Sequence, residues 1–171
     1  MNNSLTESYE RFVTLFNEEN YSRDNNKELL QLKRDMISGF QADEKALQKQ
    51  SCIAPLIDIR IRMNHFFFAS NEERSEVDGL LSKAFRNNAS MVTNKAVTAR
   101  LEKVYGENDP DWGGHLAVAA AMITAKPDAL EERAWNNLVD WSKRDGEREK
   151  SDRRRAFVSL FAKRCGKDWS F

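Results

Sequence analysis

Apolar residues recur at intervals of three and four along most of the chain, and short polar clusters separate the runs. Residues 4–18 place Leu5, Tyr9, Phe12, Val13 and Phe16 on one stripe, the spacing of an amphipathic helix. Ser4 with Glu7 three residues later reads as its capping box. Asn17 to Asn26 is polar and loop-like. Residues 27–39 repeat the pattern with Leu29, Leu30, Leu32, Met36 and Ile37, and Gly39 is placed to weaken or end that helix. Residues 41–51 are polar and predict a solvated helix or a linker. Pro55 suits the first turn of the next helix, which carries Leu56, Ile57, Ile59, Ile61, Met63, Phe66, Phe67 and Phe68. That helix is apolar on most sides and is the expected centre of the core. The alternating β-branched residues at Ile57–Ile61 leave a strand as the competing reading.

The second half is punctuated in the same way. Ser70 or Asn71 caps a helix over 71–87 with Val77, Leu80, Leu81, Ala84 and Phe85 inward, and Asn87-Asn88 breaks it. Residues 93–105 predict a short helix carrying Ala96, Val97, Leu101, Val104 and Tyr105, ended by Gly106. Asp109-Pro110 opens 110–125, whose alanines allow close packing. Lys126-Pro127-Asp128 separates it from 128–142, with Leu130, Ala134, Trp135, Leu138, Val139 and Trp141 apolar. After Gly146 a last helix is expected near 150–165, with Ala156, Phe157, Leu160, Phe161 and Ala162 inward. The sum is an all-α helical bundle of about seven or eight helices in two packed lobes, 1–90 and 91–171, the second ending in a basic helix.

Composition narrows the classes. The chain has 171 residues, enough for one compact domain or two small lobes. Lys plus Arg and Asp plus Glu are 27 each, so the net charge is zero, which excludes a histone-like polycation but not a local basic face. Few breakers (Gly 7, Pro 3) and 32% charged residues favour long amphipathic helices over a sandwich or barrel. No run approaches the roughly 20 apolar residues of a membrane span. The opening Met1-Asn2-Asn3-Ser4-Leu5-Thr6-Glu7 has no basic or apolar signal-peptide region, and Cys52 and Cys165 stand too far apart for a disulfide framework, so the expected compartment is the cytoplasm.

Candidate chemistry is sparse. A structural zinc site needs four Cys or His at short spacings, whereas Cys52, Cys165, His65 and His115 are isolated. Glu72 and Glu76 share a helix face and could hold Mg²⁺ only with a second acidic pair, for which Glu131-Glu132 is a loose match; the plain alternative is a helix start favoured by negative charge. Nothing places a base beside either cysteine, and no Gly-Lys-Ser/Thr follows Gly113-Gly114. The expectation is a protein that is not an enzyme and uses no cofactor or metal.

Charge is the stronger signal. Residues 107–140 hold seven acids against two bases, net −5, and residues 141–167 hold ten bases against four acids, net +6. The bases are Lys143, Arg144, Arg148, Lys150, Arg153, Arg154, Arg155, Lys163, Arg164 and Lys167. On a helix, Arg153 and Arg154 flank the stripe of Phe157, Leu160 and Phe161, while Lys150, Arg154 and Arg155 can project on a common outer side. Such a face neutralises phosphates without reading bases. The competing reading is a solvated face paired with Glu147, Glu149, Asp152 and the acidic segment. Trp135 and Trp141 read as core residues rather than base-stacking platforms.

Several stretches share a pattern with a known family. They are Ala96-Val97-Thr98-Ala99-Arg100-Leu101-Glu102-Lys103-Val104, then His115-Leu116 and the apolar run to Ile123, then Trp135-Asn136-Asn137-Leu138-Val139-Asp140-Trp141 followed by Ser142-Lys143-Arg144 and Arg153-Arg154-Arg155-Ala156-Phe157. In the first half they are Tyr9-Glu10-Arg11-Phe12-Val13, Leu30-Gln31-Leu32-Lys33-Arg34, Phe66-Phe67-Phe68-Ala69, Gly79-Leu80-Leu81 and Ala84-Phe85. With these the chain resembles the CasB-type small subunit of the type I-E CRISPR surveillance complex, Cascade. It departs from that pattern in the polar insert at 41–51 and in Leu116 to Thr124, which has no arginine where the family often does. The resemblance implies a non-catalytic, two-lobed helical protein, present in two copies beside the other Cascade subunits. Its partners would be the guide RNA and the target and displaced DNA strands of the R-loop. On that resemblance Lys33, Arg34, Arg100, Lys143, Arg144, Arg148, Lys150, Arg153, Arg154 and Arg155 are the nucleic-acid contacts. The alternative is a helical protein–protein interaction module, such as a phage regulator or toxin-neutralising protein, whose basic face meets an acidic partner. A small helical enzyme using Glu72 and Glu76 is the third reading.

Overall fold

The computed structural model describes residues 3–17, 23–63, 69–105, 111–143, 155–156, 158–159 and 161–163. They are arranged as α1 (Asn3–Asn17), α2 (Arg23–Ala42), α3 (Ile53–Arg62), α4 (Asn71–Asn87), α5 (Asn94–Tyr105), α6 (Trp112–Ala125) and α7 (Glu132–Lys143), with short 3-10 turns between them. The short pieces at 155–156, 158–159 and 161–163 are also helical, and no strand occurs among the described residues. The fold is an all-α bundle. No helix among the described residues is long and apolar enough to cross a membrane.

The centre of the bundle is α6. Every residue from Gly113 to Ile123 is buried, so this helix has no polar face to turn to water. It packs on α3, α4 and α5. The expectation that α3 is the central helix is thus corrected: α3 keeps Asp58, Ile61 and Arg62 partly exposed, and α6 lies deeper. The strand alternative at Ile57–Ile61 gives way to a helix, and Pro55 sits in its first turn, as its missing N–H permits. α6 packs on helices from both sides of residue 90, and one cluster of buried side chains runs from Leu5 to Ala162.

Close approach explains the alanines and Gly114. A Cβ on Gly114 would stand 2.6 Å from Ile61 Cα and 2.8 Å from its carbonyl oxygen, so the backbones of α3 and α6 touch there. Gly39 does not end α2, which continues to Ala42; a Cβ there would meet Leu5 Cδ2 at 2.7 Å, so the glycine lets α1 lie on α2. α2 also begins earlier than expected, at Arg23, and Ser4 lies inside α1 rather than at a cap.

α4 follows the sequence closely. Ser70 Oγ accepts from the Glu73 N–H at 3.2 Å, and Glu73 Oε2 accepts from the Ser70 N–H at 3.0 Å, a complete capping box. The five residues expected inward are all buried. Asn88 closes the helix, its Nδ2 donating to the Ala84 carbonyl at 2.9 Å. Asn87 Nδ2 reaches back to the Leu47 carbonyl at 3.2 Å. The 41–51 segment is therefore no linker: Ala46 and Leu47 are buried in a 3-10 turn packed on α4, and a second turn, ending at the buried Cys52, packs on α3.

Two ion pairs bolt α4 to its neighbours. Arg60 Nε donates to Asp78 Oδ1 at 2.6 Å, with both side chains mostly buried. Lys33 Nζ, 1% exposed, donates at 3.0 Å to the same Glu73 oxygen that completes the capping box. Burial alone raises the Glu73 carboxyl, but the Ser70 N–H and the Lys33 ammonium outweigh it and leave it below its ordinary 4.5. A lowered folded-state value gives stability that is complete above the unfolded value and lost as pH falls through the folded one.

Two stability predictions follow from this packing. Gly114→Ala destabilises by about 3 kcal/mol because backbone cannot yield, whereas Gly79→Ala, whose new Cβ meets nothing within 4 Å, stabilises by up to about 1 kcal/mol. Urea midpoints moving the same way in both variants would contradict that packing. Glu73→Gln costs roughly 2–3 kcal/mol by stranding Lys33, less than a fully buried pair because Glu73 is 26% exposed. Chemical denaturation at pH 7 and again below pH 4 reads it, and the difference between variant and parent shrinks in acid.

Candidate functional site

The ten cations of the expected interface fall into different surroundings. Lys33 is a correction: its ammonium is engaged inside the protein with Glu73 and is not offered to a phosphate. Arg34, one residue on, is 64% exposed and only 4.0 Å from Glu73 Oε1, a weak surface contact. Arg100 is half-buried on α5. Lys143 is the last residue of α7. Arg155 is exposed on a helical piece. Arg144, Arg148, Lys150, Arg153 and Arg154 lie outside the described residues, as do His65, Phe66, Phe67, Phe68, Phe157, Leu160 and Cys165.

Three apolar residues after α7 are seated on the bundle. Val158, Phe161 and Ala162 are buried. The Phe161 ring stacks on Trp135, centroids 5.4 Å apart and planes 22° off parallel. Trp141 is 2% exposed and meets the edges of Tyr105 and Trp112, each at 5.9 Å. Both tryptophans are thus core residues. Arg155 and Lys163 stay exposed on the same piece of chain. Val158 and Phe161 are thus anchored on a body that, outside residues 141–167, carries a net charge of −6.

A second polar group lies at the junction of α1, α3, α5 and α6. Tyr9 on α1 donates its hydroxyl to Asp58 Oδ2 on α3 at 2.5 Å. Burial first, then the bond to Asp58 and its charge, push the Tyr9 phenol from its ordinary 10.0 to about 12, with Arg62 pulling the other way. Arg62, one turn after Asp58, lays its guanidinium over the Phe16 ring, 3.7 Å from the centroid. Arg100 Nη1 meets His115 Nδ1 at 3.5 Å. Burial lowers the Arg100 guanidinium, and Asp58 opposes that shift. Of these residues only Arg100 was an expected contact. Tyr9 read as a core residue and His115 as an isolated one; the available signal was the run Asp58-Ile59-Arg60-Ile61-Arg62, charges alternating within an apolar helix.

The remaining candidates offer little chemistry. No group of three His, Cys, Asp or Glu residues able to hold a metal occurs among the described residues. Glu72 and Glu76 are exposed, and backbone and Ser70 hydrogen bonds hold the Glu72 carboxyl low, as at a helix start. The Cys52 thiol is buried, which pushes it up, away from the reactive thiolate. A recess between α4 and α6 is lined by Asp78, Gly79, Ser82, Ala121 and Thr124. Its hydroxyls donate to their own helices and Asp78 is engaged by Arg60, so no nucleophile–base pair is assembled there.

No protein-family model, curated protein or solved structure matches the chain.

Because the raised Tyr9 value favours the neutral phenol in the folded state, its contribution to stability is complete below pH 10 and is lost as pH rises through about 12. Spectrophotometric titration of Asp58→Asn is expected to bring the latest tyrosine phase back toward 10. A late phase unmoved by that substitution would show the Tyr9–Asp58 bond to be unimportant in solution.

Proposed function

We propose that this protein is a non-catalytic small subunit of a Cascade-type CRISPR surveillance complex in the cytoplasm. In that role it binds the guide-RNA backbone and the target and displaced DNA strands, and so stabilises the R-loop in antiviral defence. The observation that carries the reading is Phe161 stacked on Trp135 with Arg155 and Lys163 exposed beside it, in a stretch of sequence rich in bases. A charged face held on a rigid helical body binds phosphates by shape and charge. RNA-guided recognition needs no more from such a subunit, because base pairing reads the sequence. Arg34 adds an exposed cation in this reading; Lys33 does not. Several weak contacts of this kind add through effective concentration once two copies sit in the assembly beside the other subunits.

The test has two arms. Tagged protein is recovered from its native host with and without RNase, and the bound RNA is sequenced. Short RNAs of uniform repeat–spacer form arriving with several larger proteins support the reading. A single acidic protein and no RNA replace it with the protein–protein interaction module. In the second arm, Lys143→Ala, Arg144→Ala, Arg153→Ala and Arg154→Ala are combined. Helicity is expected to hold while the log–log salt slope of single-stranded RNA affinity falls by about 3, close to 0.7 per lost phosphate contact. An unchanged affinity and slope would remove the tract from the binding surface.

A further inference from the structure

Two stretches of this charge-balanced chain contain no acid. Residues 45–57 carry Lys45 and Lys49, and residues 79–101 carry Lys83, Arg86, Lys95 and Arg100, with no Asp or Glu in either. The fold joins them. The Leu47 carbonyl accepts from Asn87 Nδ2 at 3.2 Å and from Asn88 Nδ2 at 3.5 Å, so the turn that holds Leu47 lies against the end of α4. Lys83 on α4 is paired with Glu44 beside that turn, a second tie between the same two elements. Lys45 and Lys49 stand two residues to either side of Leu47, and Arg86 immediately precedes Asn87. All three cations are exposed, and these contacts bring them to one end of α4.

The carboxylates that precede the turn are already engaged. Asp43 Oδ1 accepts from the backbone N–H groups of Lys45 and Ala46, at 3.1 and 3.2 Å. Glu44 is held by Lys83. Lys45, Lys49 and Arg86 make no ion pair among the described residues, and Arg86 Nε donates only to the Ser82 carbonyl of its own helix, at 3.3 Å. The surroundings are polar, with Gln48, Gln50 and Asn87 exposed. Protein interfaces centre on an apolar core from which lysine is depleted. Here lysine predominates, and Met91, 38% exposed, is the one large apolar side chain at the surface among the described residues. Lysine, arginine and side-chain amides are instead the groups that meet phosphate oxygens.

We propose that the turn at 45–49 and the C-terminal end of α4 form a contact surface for the sugar–phosphate backbone of a nucleic acid, with Lys45, Lys49 and Arg86 supplying the charge. Such a surface reads no sequence, so a homopolymer is a sufficient probe. It is built from other elements than the bases after α7 and does not require the Cascade role.

The experiment measures binding of a uridine 20-mer across a salt series, in parent protein and in the triple variant Lys45→Gln, Lys49→Gln, Arg86→Gln. The log–log slope is expected to fall by about 2, close to 0.7 for each of three phosphate contacts, with helicity unchanged. A control variant removes the same charge from exposed positions on α2, α5 and α7 (Lys27→Gln, Lys103→Gln, Arg133→Gln) and should keep the parent slope. Adding the triple substitution to the variant lacking Lys143, Arg144, Arg153 and Arg154 should lower the slope by a further 2 or so, which separates failure here from failure of the bases after α7. No binding by the parent, a slope unchanged in the triple variant, or an equal fall in the control overturns the surface. Polyglutamate bound by the parent and lost in the triple variant, with RNA affinity unchanged, assigns it to an acidic protein and overturns the proposal too. If the triple variant does not fold, Lys49→Gln alone should lower the slope by about 0.7, and an unchanged slope overturns the proposal instead.

Discussion

The contact on which the bundle depends is backbone against backbone, where Gly114 of α6 meets Ile61 of α3. An α6 buried from Gly113 to Ile123 can be stable only if other helices cover it on every side. Its alanines make the coverage thin, so the covering helices must come close for the interior to reach protein density. That requirement draws α3 and α4 from the first half and α5 from the second onto one helix. Helices from both halves of the sequence thereby cover one buried helix.

The same burial sorts the charges. A chain with as many acids as bases can place its pairs inside or outside, and here two go inside, Lys33–Glu73 and Arg60–Asp78. Both bridge α4 to another helix, so they act on register as well as on energy. Breaking either leaves a desolvated cation, which costs far more than the intact pair contributes. Glu73 has a further duty, since the oxygen that receives Lys33 also caps α4. Helix start and tertiary contact are thereby one electrostatic unit.

What the sequence disclosed follows the range of the interactions involved. α4 was legible from cap to break because its capping box, apolar stripe and terminal asparagines act within a few residues of one another. The 41–51 turns were not, because the burial of Leu47 depends on Asn87 and Asn88, some 40 residues away. α3 read as the centre because its apolar side chains are large, but small residues mark the deepest position when helices must touch. The same limit governs the sites. A cationic tract is a local property and was readable, while Lys33 looked like its neighbour Arg34 because one lysine's burial is decided by a distant glutamate. The Tyr9–Asp58 contact joins residues 49 positions apart, and no periodicity announces it.

Lys33 and Arg100 differ in how their charges are met. Both are cations withdrawn from water on amphipathic helices, and composition treats them alike. Lys33 has a carboxylate oxygen at 3.0 Å. Arg100 has a ring nitrogen at 3.5 Å and a carboxylate whose Oδ2 is already held by Tyr9. The first arrangement is closed, so its charge contributes to the fold. The second leaves donors over, and a fold that needed only neutral packing at that position would be better served by leucine or methionine.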